Sequence, residues 1–541
     1  MKKVLTPIII CAILAAAGFG IGSLIAKGGK LKDGEHKIVI CATTDVHGAY
    51  FDSTYTDGVR NRTSLSQVSS YVKQLRESGV KPVLIDVGDL LQGDLAAYYY
   101  NYVNTKDEHV AISIMKYIGY DALVVGNHDI EAGHSNYDRM LKAFPKTYLA
   151  ANAAVTEGPR RGQCYFNKYT IVKRDGIKIG ILGMTNANIK NWLAEDKWSG
   201  MEYFVISNMA QFAVEDMCKR EKPDIVVLAV HSGTGTGFPD IENEAAFLAT
   251  DVPGVDIVLC GHDHKAVAMM IDGFDRPVLL MNEGKKATVL GQAEVTLSVK
   301  DHKVVNRNIT NRLIPMEDVV PDAEFNKKFS KQFHEVKEYA NRVIGTITGE
   351  MDFSKALDGP SEYINLVQTV QLDASGADIS FTAPLSSRGK IAKGEITFQN
   401  LVDIYKYENQ LYLVKMTGKQ VKDYLEFSYH NWVNGIGPAF NYDSADGIRY
   451  EVSKRAPRGS RVRIVSMSDG TPFDESKTYT VAMTSYRASG GGDLLKLGAG
   501  INPNDLEIVQ KYDDIRNILK DYIEKRKVID PVVPDNWKFI D

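Results

Sequence analysis

Five times in this chain an apolar, β-branched run stops abruptly at side chains that can bind a metal or move a proton. Lys37 to Ala42 leads to Thr43-Thr44-Asp45-Val46-His47-Gly48, Pro82 to Val87 to Gly88-Asp89, and Asp121 to Val125 to Gly126-Asn127-His128-Asp129. Asp224 to Val230 leads to His231-Ser232-Gly233, and Asp256 to Cys260 to Gly261-His262-Asp263-His264. A strand buried on both faces reads as such a run, and its carboxyl end is where open α/β sheets bind ligands. One such ending could arise by chance; five, which take up five of the 11 histidines, define a site. Asp45-x-His47 and His262-x-His264 each set two ligands on the same side of an extended chain. Imidazole with carboxylate and amide oxygen suits Zn, Mn, Fe or Co rather than an all-oxygen calcium site.

Helical spacing fills the gaps between these runs. Ser66 to Glu77 has apolar residues at helical intervals and stops at Gly79, and Glu108 to Ile118 has the same character. Strands alternating with helices, including Ile177 to Gly183, predict α/β layering. With 541 residues, 44% of them hydrophobic, the chain can bury at least two cores. Residues 37–315 read as the domain carrying the motifs. Residues 316–343 read as an interdomain helix on the spacing of Phe325, Phe329, Phe333, Val336 and Tyr339, and residues 344–541 as a second α/β domain. The latter contains strands over Leu411 to Met416 and Thr478 to Met483 and a helix over Gln420 to Tyr429.

Met1-Lys2-Lys3 precedes an uncharged stretch from Val4 to Ala26. Residues 1–26 therefore read as a signal peptide or an uncleaved membrane anchor, which predicts export to the periplasm or to the outer face of a membrane through residues 4–26. A Gly/Lys linker is expected over 27–36. Cys11 lacks the small neighbour expected beside a lipidated cysteine. Cys41 and Cys260 sit in apolar runs, where a buried free thiol is the ordinary reading, and no CxxC spacing occurs. A net charge of −4 excludes polymeric nucleic acid as a partner but allows a small anion at a local positive centre.

The five motifs, in this order across residues 37 to 265, resemble the signature of the calcineurin-like metallophosphoesterases. The resemblance implies a four-layer α/β/β/α catalytic domain with two divalent ions. Asp45, His47, Asp89 and His264 would hold one ion, and Asp89, Asn127, His231 and His262 the other, with Asp89 bridging. Two such ions polarise phosphoryl oxygens and hold the attacking and leaving oxygens in line. The family places a transition-state-stabilising histidine at His128, paired with an acidic residue three positions on. Glu131 stands there, where related 5′-nucleotidases carry Asp. Asp129 is expected to be a structural hydrogen-bonding group.

Residues 344–541 resemble the 5′-nucleotidase C-terminal domain, an α/β substrate-binding module. Gly376 to Pro384, Asn441-Tyr442-Asp443, Ser485 to Gly492 and Asp535-Asn536-Trp537 look most like the bacterial 2′,3′-cyclic-nucleotide 2′-phosphodiesterase/3′-nucleotidase branch. That implies a base sandwiched by Tyr442 and Tyr486, with Asp493 and Arg388 as further substrate contacts. The run before Arg388, Ala383-Pro384-Leu385-Ser386-Ser387, departs from the Asn/Gly pattern of the 5′-nucleotidases. Gly490-Gly491-Gly492 does not open into a Lys-Ser/Thr helix and reads as a close backbone approach rather than a P-loop. The expectation is an exported nucleotidase acting on 2′,3′-cyclic and 3′-nucleotides for nucleotide scavenging. The alternative is a 5′-nucleotidase/UDP-sugar hydrolase. A non-catalytic nucleotide- or surface-binding protein, or a hydrolase of another ester or thioester, ranks below both.

Overall fold

The computed structural model describes residues 31–541 except 57, 58, 60–62 and 239; the leader expected over 1–26, Cys11 and residues 27–30 of the expected linker lie outside them. The chain forms two compact units, one through Lys190 and from Glu195 to Val336, the other Asn191–Ala194 with Lys337–Asp541. No helix among the described residues is long and apolar enough to cross a membrane.

In the first unit β1 (Gly34–Thr43) is followed by α1 (Leu65–Glu77), β2 (Val83–Asp86), α2 (Val110–Ile118), β3 (Ala122–Val124), α3 (Asn127–Glu131) and β4 (Tyr148–Leu149). Next come β5 (Tyr169–Arg174), β6 (Ile177–Thr185), α4 (Ile206–Glu221), β7 (Ile225–His231), α5 (Ala245–Asp251) and β8 (Ile257–Cys260). Four further strands, β9 (Ala266–Asp272), β10 (Pro277–Glu283), β11 (Val289–Lys300) and β12 (Lys303–Pro315), complete it. They make two six-stranded sheets, β12-β11-β1-β2-β3-β4 and β9-β10-β8-β7-β6-β5. Apolar side chains of both sheets, among them Ile40, Ile85 and Val124 from the first and Ile181, Val227 and Leu259 from the second, form one core. Alternate residues of the second sheet (Leu182, Leu228, Val258) bury against Val214 and Met217 of α4 and Leu248 of α5. On the first sheet, α1 is capped by Ser64, whose side chain accepts from Ser66 N–H, and buries Leu65, Val68 and Val72. The result is the four-layer α/β/β/α arrangement.

Two expectations need correction. The linker ends by Asp33, because β1 begins at Gly34 and pairs with β11 from Gly34 opposite Val299 onward; backbone pairing carries the strand past its apolar part. The single helix expected within 316–343 is two, α6 (Ala323–Lys328) and α7 (Ser330–Ala340), interrupted at Phe329. Asp322 caps α6 and also accepts from Ser69, and Ser66 donates to Asn326, so α6 is pinned to α1. Phe325 and Phe329 are buried beside Tyr117.

The second unit runs through α8 (Glu362–Ser375), β13 (Ile379–Thr382), β14 (Gln410–Thr417), α9 (Gly418–Asn434), β15 (Ser444–Asp446), β16 (Ile448–Val452) and β17 (Val462–Met467). It closes with β18 (Thr478–Thr484), α10 (Ser485–Ala488), β19 (Ile508–Asp514), α11 (Ile515–Arg526) and β20 (Trp537–Phe539). A five-stranded sheet, β15-β13-β18-β14-β19, packs on α9, which a Thr417/Gln420 capping box starts and Gly435 ends in the left-handed conformation. Asp535-Asn536-Trp537 delivers β20 alongside β16, and the Trp537 ring stacks on Tyr450.

Candidate active site

All five motif loops leave the carboxyl ends of β1, β2, β3, β7 and β8. They are stitched to one another by backbone: Asp45 N–H donates to Gly88 O, and His47 N–H to Asp89 O, each at 2.9 Å. His262 N–H donates to the Asp45 carboxylate, and His128 N–H to Asp89 Oδ1 at 2.8 Å. Gly126 is required by close approach, since a Cβ there would lie 2.1 Å from Asp89 Oδ1. Asp45, His47, Asp89, His262 and His264 all adopt positive φ, between 47° and 74°. Such backbone is strained for residues other than glycine and clusters at functional sites.

Ligand atoms of Asp45, His47 and His264 lie within 4.8 Å of one another, and so do those of Asp45, Asp89 and His231. His47 Nε2 faces His264 Nε2 at 3.0 Å. Asp89 Oδ2 sits 3.2 Å from His231 Nε2 and 3.9 Å from His47 Nε2, so one carboxylate oxygen reaches both groups. Asn127 Oδ1 lies 3.1 Å from His231 Nε2 and 3.0 Å from His262 Nδ1. The seven residues expected as ligands are therefore brought together.

The donor set fits divalent cations. Asp45 and Asp89 are both buried. Burial alone would raise their pKa values, but the surrounding imidazoles outweigh it and hold both carboxyls below the usual carboxylate range. Buried ionised carboxylates are found paired or on metals. The imidazoles are prepared on the other side. His47 Nδ1 lies 3.2 Å from Gln92 O, His231 Nδ1 2.7 Å from Val87 O, and His262 Nε2 3.2 Å from Glu242 Oε1. Each outward nitrogen can donate its proton there, which fixes the tautomer and leaves the inward lone pair free, the usual outer arrangement around metal-bound histidine. Burial holds His47 down to about 4, so it is neutral. Burial lowers His231, but Asp89 and Asp45 lift it more, to about 9, as long as no cation neutralises those carboxylates; a cation bound there would displace that proton and leave the neutral ring as a ligand.

His128 is partly exposed at the start of α3, and its Nδ1 contacts Glu131 Oε2 one helical turn on. Its ring is 5.3 Å from that of His47. The Asp129 carboxylate accepts four backbone N–H groups, from Asp89, Leu90, Leu91 and Gly126, and so moulds the turns that carry Asp89 and Asn127.

In the second unit Tyr442 is largely buried, stacked on Trp432 at 5.9 Å, with its hydroxyl donating to Gly437 O. Tyr486 is partly exposed at the start of α10. A Cβ on Gly491 would come within 2.4 Å of the Tyr486 ring, so the glycine run is a close approach to that ring. Asp493 and Arg388 are exposed, Asp493 with φ of 59° and Arg388 on the loop after β13. Sequence reasoning missed Asp443, Arg487 and Trp432, which build the surroundings of the tyrosines; the Asp443–Arg487 pairing spans 44 residues and leaves no local pattern to read.

The layered fold and the convergent Asp/His set define a metal-dependent phosphoester hydrolase. Residues 38–266 belong to the calcineurin-like phosphoesterases, and residues 343–497 are a 5′-nucleotidase C-terminal domain. Phosphoesterases of this family use divalent metals, and the Asp/His groups above are the candidate ligands. A 2′,3′-cyclic-nucleotide 2′-phosphodiesterase/3′-nucleotidase of Haemophilus influenzae is 27% identical, covering 93% of this chain and 87% of that protein. The trifunctional nucleotide phosphoesterase YfkN of Bacillus subtilis is 26% identical over 92% of this chain, which spans only 38% of its length. The crystal structure of a Staphylococcus aureus protein assigned to the 5′-nucleotidases shares the fold at TM-score 0.79 and 21% identity, covering 93% of this chain and all of that one.

Proposed function

We propose that this chain is an exported nucleotidase with two divalent ions that hydrolyses 2′,3′-cyclic and 3′-nucleotides to nucleoside and phosphate for scavenging. The observation that carries the reading is the convergence of Asp45, His47, Asp89, Asn127, His231, His262 and His264 at the strand ends. Asp45, His47, Asp89 and His264 would hold one ion, and Asp89, Asn127, His231 and His262 the other. When bound, the ions supply Lewis-acid polarisation of the phosphoryl oxygens.

The chain's own groups do the rest. Charge grows on the leaving oxygen as the ester breaks, and His128 stabilises it by holding a proton on its Nε2. Glu131, in contact with Nδ1, orients the ring and favours its protonated form. The motif domain, residues 37–315 in our division, holds the phosphate, and residues 344–541 hold the nucleoside. Tyr442 and Tyr486 stack the base, with Asp493 and Arg388 as further contacts. Relatives named for cyclic and 3′-nucleotide hydrolysis support this substrate class. The relative UshA of Escherichia coli and an NAD nucleotidase share the architecture, so 5′-nucleotides remain the second reading. The uncharged stretch from Val4 to Ala26 behind Met1-Lys2-Lys3 supports export.

The test is a hydrolysis panel of cyclic, 3′- and 5′-nucleotides after chelation and reconstitution with Mn, Zn, Co or Mg. Turnover that returns with metal and favours cyclic and 3′-substrates is expected. Activity indifferent to chelation would overturn the reading, and preference for 5′-substrates would select the alternative.

A further inference from the structure

Arg487 follows Tyr486 directly and is almost wholly buried. A guanidinium has five N–H donors in a rigid fork and accepts nothing. Here every donor has an acceptor. Nε donates to Asp443 Oδ2 at 2.9 Å and Nη2 to Asp443 Oδ1 at 2.8 Å. Nη2 also donates to the Phe440 carbonyl, while Nη1 donates to Asn441 Oδ1 at 2.8 Å and to the Gly491 carbonyl at 3.0 Å. With all five spent, none is left for a ligand.

What those bonds join is specific. Phe440, Asn441 and Asp443 flank Tyr442 on both sides, and Gly491 packs against the ring of Tyr486. Asp443 is itself anchored to α9, because Tyr424 donates to its carboxylate and Ser428 to its carbonyl. Burial disfavours the guanidinium charge, but the Asp443 carboxylate outweighs that and holds Arg487 above its ordinary range. The glycine run serves the same junction: a Cβ on Gly492 would lie 2.6 Å from Asn441 Oδ1 and 2.9 Å from Arg487 Nη1. An arginine pinned bidentately to one carboxylate and to three further acceptors on two segments is a rigid strut, a geometry lysine cannot reproduce.

We infer that Arg487 is the positioning residue of the base pocket: without touching substrate, it clamps the Tyr442 segment to the Tyr486–Gly491 turn and so sets how the two rings face a base. The inference rests on the proposed reading that these rings hold the nucleoside base. A buried ion pair with a purely structural role would behave differently. Its loss would lower the folded fraction and reduce turnover of every substrate in equal proportion.

The test uses the full chain carrying R487K, and separately the pair R487Q/D443N, which removes both charges while keeping polar groups in place. Each is assayed on 3′-AMP and on p-nitrophenyl phosphate, which has no base. Adenosine is titrated as an inhibitor of aryl phosphate hydrolysis. The ratio of kcat/KM for 3′-AMP to that for the aryl phosphate should fall about tenfold, the order of a single base–aromatic stack, through a raised KM. The adenosine Ki should rise in step. An unchanged ratio and Ki in either folded variant would overturn the clamp, as would an equal loss on both substrates. Y442A/Y486A separates the two readings. If it lowers the ratio and R487K does not, the clamp alone fails. If it too leaves the ratio intact, the base sandwich has failed and the clamp with it.

Discussion

Asp129→Asn is the substitution whose effect can be worked most directly from the structure. Asp129 is 1% exposed. Its Oδ2 accepts from Gly126 N–H at 2.8 Å and Asp89 N–H at 3.1 Å, and its Oδ1 from Leu90 at 2.9 Å and Leu91 at 3.0 Å. Asparagine keeps the shape but turns one oxygen into a donor that faces two donors. Two buried N–H groups then lose their acceptor, at about 1–3 kcal/mol each, or about 2–6 kcal/mol together. Natural domains are stable by about 5–15 kcal/mol, so the variant should fold but be markedly weakened. Asp89 is itself a candidate ligand and Gly126 precedes another, Asn127, and the loosening should centre there. A urea titration should show a lower midpoint with unchanged slope, and elemental analysis after dialysis a lower metal content than the wild type. A stability within about 0.5 kcal/mol of wild type, the range of an ordinary surface change, would refute the reasoning.

His128→Ala should lower kcat by about 10²–10⁴-fold with metal content near normal, and unchanged turnover would remove it from the chemistry. Asp86 is held up to about 8, chiefly by burial, against about 3.9 in an unfolded chain. The folded state therefore keeps the proton, and the stability this group contributes is full below about pH 4 and is lost progressively as pH rises to about 8. Asp86→Asn cannot ionise, so its stability relative to wild type should improve between about pH 4 and about pH 8; parallel curves would contradict the raised pKa.

Much of the first domain is legible in the sequence because its signal is local. A buried strand announces itself as an apolar run, and its loop carries chemistry at once, as in Val124-Val125-Gly126-Asn127-His128. The hairpins after Gly261 escape that reading although β11 alternates Ala293, Val295, Leu297 and Val299 with polar residues, a period of two that is there to be read. The break at Phe329 is hidden because the apolar spacing runs unbroken across it. Other features have no sequence signature at all. Nothing in the composition marks Asp45 or His264 as left-handed backbone, because that strain is imposed by loops meeting in space. Arg487 and Asp443 are ordinary charged residues until the fold buries them together.

In the proposed centre one carboxylate, that of Asp89, would serve both ions, and the two-ion reading stands or falls with it. The most direct measurement is metal stoichiometry by elemental analysis of the wild type and of Asp89→Ala, each reconstituted with Mn and desalted. Two ions per chain are expected in the wild type, with loss of both in the variant. Two ions retained without Asp89, or a wild type that binds none, would contradict the bridged centre.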